Sequence, residues 1–451
     1  MKEYENTRLN GAAQLRAGVG RAVITPPLGT ILFGYAPGRP AKAVGDDLHL
    51  TAAALEYGEV RALILTADVC TCPVKVADAI RKAVSETTGV PYGAILFNTS
   101  HTHSGPVTAL QDTGWGEGNI DFLYHTLLPK SVEAADAAVR CLRPALFGVA
   151  STESDVAANR RSITADGRIG LGQCPWGLVD REMTVLSFKD AETGEIILNM
   201  IHYGAHATAS GANPEITRDW PGPMKDILER ETDGLTLFLA GSNGETGPRC
   251  PNGGTTQSYE AALELGKRAG LDAVRAWRTI KDWRNAPLAV INGDVTIPYE
   301  PLPPLEKAKA ERNRLVSREW LREQKRFSEI REFTHWDSIV AAYESGEIRE
   351  NYVFAQSIVA IGTAVLVPFQ FEMFLEMTLR LRLYSKFSYT LSLSNTNGSL
   401  AYLPSRDQIC RGGYEIWQFR FANTYKLVDN ADDYMVTENL KLLDRAFEAC
   451  R

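Results

Sequence analysis

No apolar run in the 451-residue sequence is long enough to span a bilayer, and the stretch Met1 to Arg16 lacks the apolar core of a signal peptide. Those absences exclude membrane insertion on this reading and predict a cytoplasmic protein. Cysteine is scarce. Seven scattered residues, an odd number, exclude a disulfide framework, and Cys70-Thr71-Cys72 is too tight for a zinc knuckle, so buried thiols are expected. Positive charge is in deficit: 48 Lys and Arg against 55 Asp and Glu leave a net charge of −7. That balance argues against nucleic acid or an anionic membrane as partner. No biased tract, internal repeat or flexible linker interrupts the chain. Gly241–Arg249 is rich in small residues but lacks the Lys-Ser/Thr ending of a phosphate-binding loop, which excludes a nucleotide site there.

What remains is an ordinary globular composition, 44% hydrophobic, on a chain long enough to bury a core without a disulfide or structural metal. Strand-like apolar runs alternate with helical stretches. Val60–Asp68, Ala94–Thr99, Ala145–Ala150, Met183–Lys189, Ile196–Tyr203 and Leu235–Ala240 read as strands, as do Leu288–Ile297 and Ser357–Val367. Val74–Thr87, Phe122–Arg140, Tyr259–Thr279 and Phe371–Leu383 have helical spacing. Asp219 is placed to cap a helix with Pro221 in its first turn. Together they predict an α/β fold, a mixed β-sheet core layered with helices, in one domain over residues 1–451. The Lys-, Arg- and Glu-rich segment from about 305 to 345 reads as an insertion of one or two helices with a solvated charged face.

Chemistry concentrates at strand ends. Asn98-Thr99-Ser100-His101-Thr102-His103-Ser104-Gly105-Pro106 follows an apolar strand, and in extended chain His101 and His103 point to one side. His202-Tyr203-Gly204-Ala205-His206 ends another. Four of the seven histidines thus lie at two strand ends, which would meet if the strands are neighbours. His202, inside its strand, reads as a core histidine bonded to backbone; His206, past the end, is the better metal ligand.

These segments resemble the catalytic domain of the neutral (alkaline, non-lysosomal) ceramidases. The likeness runs from Ala17-Gly18-Val19-Gly20-Arg21 and Ile24-Thr25-Pro26-Pro27 through Asp46-Asp47-Leu48, Thr66-Ala67-Asp68, His101 to Pro106, Asn159-Arg160 and Ile216 to Gly222. It ends in Pro368 to Arg382 and in the pair Tyr402 and Tyr414. The resemblance implies Zn²⁺ held by His101, His206, Glu372 and Tyr402, with His103, Arg160 and Tyr414 lining the reaction centre. In that reading zinc activates a water, His103 moves its proton, and Arg160 and Tyr414 stabilise an oxyanion. Arg161, next to Arg160, is an equal candidate for the guanidinium.

The sequence departs from the family at Gly247, where the ceramidases carry a serine, and at Glu245, where they carry an aspartate. The missing hydroxyl leaves a wider pocket as the expectation. The family's C-terminal immunoglobulin-like domain has no counterpart before the chain ends. A soluble small molecule other than ceramide is therefore the expected substrate, cleaved at an amide bond. An ester, lactone or carbohydrate substrate, or a silent binding role, stands as the alternative, and homo-oligomer formation is left open. Trp115 and Trp176, each beside glycine, are candidate pocket walls.

Overall fold

Strands that are apolar on both faces must be covered on both faces, and the largest sheet is. Its eight strands lie in the spatial order Leu235–Ala240, Ile196–Tyr203, Glu182–Asp190, Arg143–Glu153, Leu15–Val23, His49–Tyr57, Val60–Ala67 and Ile95–Thr99. Pairing is antiparallel through the middle and parallel at the two ends. The computed structural model describes residues 13–35, 38–110, 118–316 and 327–451.

A second sheet of Leu288–Pro298, Asn351–Ile361, Ala364–Pro368 and Tyr389–Leu393 packs face to face on the first. Leu96, Leu186, Leu198 and Leu366 fill the layer between them and are fully buried. Each such side chain contributes roughly 1.5–3 kcal/mol. On the outer face of the large sheet lie the helices Val74–Thr88 and Leu128–Arg140 at one end and Pro221–Thr232 and Tyr259–Arg278 at the other. Leu375–Tyr384 and Ala431–Ala449 cover the outer face of the second sheet. Helix, sheet, sheet and helix therefore stack as four layers, the α/β architecture expected.

Four local readings change. Ser357–Val367 is not one strand but the core of a hairpin, because Gly362 adopts φ +55° and turns the chain back on itself. Phe371–Leu383 is helical only from Leu375; Glu372 and Met373 form a short strand beside Tyr402 and Leu403. The Phe122–Arg140 stretch opens with a wider turn over Phe122–Leu127. Asp219 is no cap: it takes φ +55°, and its carboxylate accepts from the backbone of Ala209 and Ser210 while the helix starts at Pro221. The charged insertion folds as the helices Leu305–Val316 and Phe327–Ser345, joined by an apolar seam that includes Ala308, Trp336 and Ile339.

The strands that carry the two histidine motifs are not neighbours. Ile95–Thr99 is at one edge of the eight-stranded sheet and Ile196–Tyr203 is next to the other edge. The sheet curls until those edges approach, and one segment seals the seam. Ser394 N donates to Ala240 O (2.9 Å) and Asn397 N to Phe97 O (2.7 Å). The Asn98 side chain donates to Ser394 O (2.7 Å) and accepts from Ala240 N (3.1 Å). These bonds satisfy the Asn98 side chain and the backbone on both sides of the junction, while Asn395 Oδ1 stays buried without a partner.

Candidate metal centre

Just past the seam the chain leaves regular structure under strain. His101 has φ +63°, Asn395 +50°, Asn397 +60° and Ala401 +100°. Non-glycine residues in such conformations cost on the order of 1–3 kcal/mol each, and here they flank one buried point. Thr102 and Ala207 form a parallel bridge that draws His101 and His206 together. Glu372 and Tyr402 arrive as partners in the second short bridge, with Glu372 N donating to Ala401 O (2.9 Å). The candidate ligand atoms of His101, His206 and Glu372 all lie within 4.8 Å of one another.

The protonation state follows from the hydrogen bonds. Nδ1 of His101 reaches Cys70 O at 2.8 Å, and Nδ1 of His206 reaches Asn243 O at 2.7 Å. A carbonyl only accepts, so in the neutral ring each Nδ1 carries the proton and each Nε2 presents a lone pair. Burial favours the neutral form of both rings and pushes His206 down to about 3. Burial pushes the Glu372 carboxyl up, while either ring, whenever it carries a proton on Nε2, and the Arg160 guanidinium pull it down. Glu372 Oε2 therefore stands as a carboxylate 3.0 Å from His206 Nε2 and 3.5 Å from His101 Nε2. Three acceptors face one another, and neither His206 Nε2 nor Glu372 Oε2 has a hydrogen-bond partner. Buried lone pairs at these distances repel unless a cation lies among them. Two imidazole nitrogens and a carboxylate oxygen suit a divalent transition metal, so the donor set fits.

Tyr402 closes the ring from the fourth side, its aromatic plane stacked on His206 at 6.4 Å. Its hydroxyl accepts from Arg160 Nη2 at 2.9 Å. Arg160 also donates to Gly244 O (3.0 Å) and, through Nε, to Glu415 (2.9 Å). Arg161 uses the other oxygen of Glu415 (2.6 Å) together with Gly412 O (2.7 Å). An irregular register at residues 159–161 lets consecutive arginines reach one carboxylate. Of the two, Arg160 is the one that touches the site, and its hydrogen bonds commit it to the Tyr402 oxygen.

His103 Nε2 lies 3.4 Å from His101 Nε2, and burial holds its ring well below the ordinary histidine range. Tyr414, at the start of the helix Tyr414–Phe421, meets Tyr402 edge to face at 5.9 Å, and its hydroxyl accepts from Gln418. Burial raises that phenol to about 12, so it stays protonated and able to donate. His101, His103, Glu372, Tyr402 and Tyr414 all line one cavity of about 440 Å³. A second cavity of about 470 Å³ lies behind Leu400, Tyr402 and Asn423, which border both.

Other expected site residues lie elsewhere. Gly247 does not widen the pocket: a Cβ there would stand 2.8 Å from the Thr255 Cβ, so the threonine already fills the space. Glu245 is buried, accepts from Leu375 N (3.0 Å), and is pushed up to about 8 by that burial; it supports the site from behind. Trp176 is 93% exposed and does not line the cavity. Trp115 lies outside the described residues. His202 Nε2 donates to Ser392 O (2.9 Å), as a core histidine should. Cys70 and His103 form an alternative cluster with His101, but burial keeps the Cys70 thiol protonated and makes it the poorer donor. Two contributors escaped sequence reasoning. Gly34 abuts the His103 ring with φ +95°, and Arg331, from the charged insertion, reaches the cavity.

No family model matches the chain, and no curated protein does. Among solved structures, the neutral ceramidase from Pseudomonas aeruginosa superposes with a TM-score of 0.71 at 17% identity, over 97% of this chain and 74% of that one. A ceramidase complexed with C2 superposes with a TM-score of 0.73 at 15% identity, over 97% of this chain and 75% of that one. The ceramidase-like fold expected from the motifs is the fold observed.

Proposed function

We propose that this chain is a metal-dependent hydrolase that cleaves an amide bond in a small N-acyl compound, with zinc held by His101, His206, Glu372 and Tyr402. The observation that carries the reading is the convergence of two imidazole nitrogens and a carboxylate oxygen on one buried point, 3.0 and 3.5 Å apart, with His206 Nε2 and Glu372 Oε2 left without a hydrogen-bond partner. Support for amide chemistry comes from the fold shared with ceramidases. A bound divalent cation supplies Lewis acidity, which polarises a carbonyl and lowers the pKa of a water from about 15.7 towards 7.

The side chains do the rest. His103, neutral and beside His101, takes a proton from the attacking water and returns it to the leaving nitrogen. The protonated Tyr414 hydroxyl donates to the oxygen on which negative charge develops. Arg160 acts through Tyr402: burial pushes this phenol well above the ordinary range, and a guanidinium at 2.9 Å opposes that and would favour the phenolate as a metal ligand. Glu415, shared by both arginines, fixes that guanidinium in place.

Stripping the metal by chelation, then assaying a panel of N-acyl compounds before and after adding zinc back, tests the reading. Activity is expected only in the reloaded protein, with His103→Ala lowering kcat by roughly 100- to 10,000-fold. Turnover that survives in the stripped protein overturns it. Faster turnover of matched esters than of amides would favour the ester reading instead.

A further inference from the structure

The cavity holds a cation that the chemistry above leaves unused. Arg331 lines it from the helix Phe327–Ser345. That helix is seated on Tyr414–Phe421 and the residues just after it, with Glu332 accepting from Trp417 Nε1 at 3.4 Å. His335 Nδ1 bonds Asn423 O at 2.8 Å, the His335 and Phe421 rings meet at 5.3 Å, and Phe327 packs on Trp417 at 6.0 Å. Arg331 is one turn before His335, so it shares the face turned towards Tyr414 and Gln418.

Among the described residues no carboxylate comes within ion-pair distance of this guanidinium, and its Nε is buried without a hydrogen-bond partner. The Phe327 ring lies 5.4 Å from the guanidinium carbon, and the Tyr414 phenol is near enough to act on its charge. Among the described residues, the only carboxylate that lines the cavity is Glu372, already spent on the metal centre. A half-buried arginine left unpaired at a ligand cavity is costly unless the ligand supplies the counter-charge. A single guanidinium offers two parallel donors, the match for a carboxylate.

We infer that Arg331 recognises a carboxylate on the substrate, so that the compounds cleaved are acidic amides of the N-acyl amino acid kind. This rests on the hydrolase reading for what is cleaved, but the recognition is testable without turnover. The metal-loaded full chain would be assayed with N-acylglycines and their neutral carboxamide counterparts, and calorimetry would follow binding of an N-alkyl-glycine that has no scissile amide. Expected are a 10- to 100-fold preference of the wild type for the acid, expressed mostly in KM, and its loss in Arg331→Met, with Arg331→Lys intermediate. Thermal melting of Arg331→Met should be unchanged, since no ion pair is broken.

Equal discrimination by wild type and Arg331→Met overturns the inference, as does tighter binding of a phosphate-bearing analogue than of the carboxylate. Should neither substrate turn over while binding of the amino acid still depends on Arg331, the inference stands and the hydrolase reading falls.

Discussion

Replacing Glu372 by glutamine separates a metal ligand from a packing residue, because the two roles predict opposite effects in the two states of the protein. Without metal, the wild type confines a carboxylate oxygen 3.0 Å from one lone pair and 3.5 Å from another. Glutamine keeps the shape, removes the charge and offers an N–H to His206 Nε2. A hydrogen bond gained there contributes on the order of 1 kcal/mol, so the metal-free variant should melt no lower than the metal-free wild type. With metal the order reverses. Free metal at 1,000 times its Kd stabilises the folded state by about 4.1 kcal/mol. Losing a partner one shell out already weakens metal sites by roughly 10- to 100-fold; a direct ligand should reach at least the upper end. A 100-fold loss leaves about 1.4 kcal/mol of that stabilisation, a deficit near 2.7 kcal/mol. Calorimetry with and without chelator, together with elemental analysis, reads both states. A variant that loses equal stability in both, or that keeps stoichiometric metal, refutes the reasoning.

Gly34→Ala should cripple turnover while leaving the metal in place. The new Cβ would stand 2.2 Å from His103 Nδ1 at a backbone φ of +95°, and displacement of a proton-transfer group by about 1 Å costs roughly 100-fold in rate; unchanged kcat would show that His103 moves freely. Glu245→Gln should become more stable than the wild type as pH rises. Burial raises this carboxyl from 4.5 to about 8, so the stability tied to its protonated form is complete below pH 4.5 and declines as pH climbs through about 8, by roughly 1.4 kcal/mol per unit. Glutamine keeps an oxygen for the Leu375 N–H, and a difference between the two proteins that stays flat across that pH range would refute the assignment.

Much of this architecture was legible because its strands are buried on both faces and announce themselves as apolar runs. Ile196–Tyr203 and Leu235–Ala240 have the very limits expected. Misreadings arose where structure depends on distant partners. Glu372 was assigned to a helix because the apolar run around it has no local marker for a bridge to Tyr402, 30 residues on. The two histidine motifs would meet in the sequence reading only if their strands were neighbours; curvature brings them together instead, a property of the whole sheet. At Gly247 the missing side chain suggested open space, and only coordinates reveal that Thr255 fills it. Arg331 was hidden in a charge run of a kind that ordinarily faces solvent, and its companions there do pair on the surface, as Arg312 does with Asp337.

The centre is distributed along the chain in a way that bears on how it can be made and unmade. Its members come from both margins of the curled sheet and from the sheet layered on it, meeting where residues 394–397 stitch the margins together. An ion bound there would act as a clasp between stretches as far apart in the sequence as His101 and Tyr402. Its loss would loosen those stretches from one another, and amide exchange at residues 394–397 should quicken in the metal-free protein.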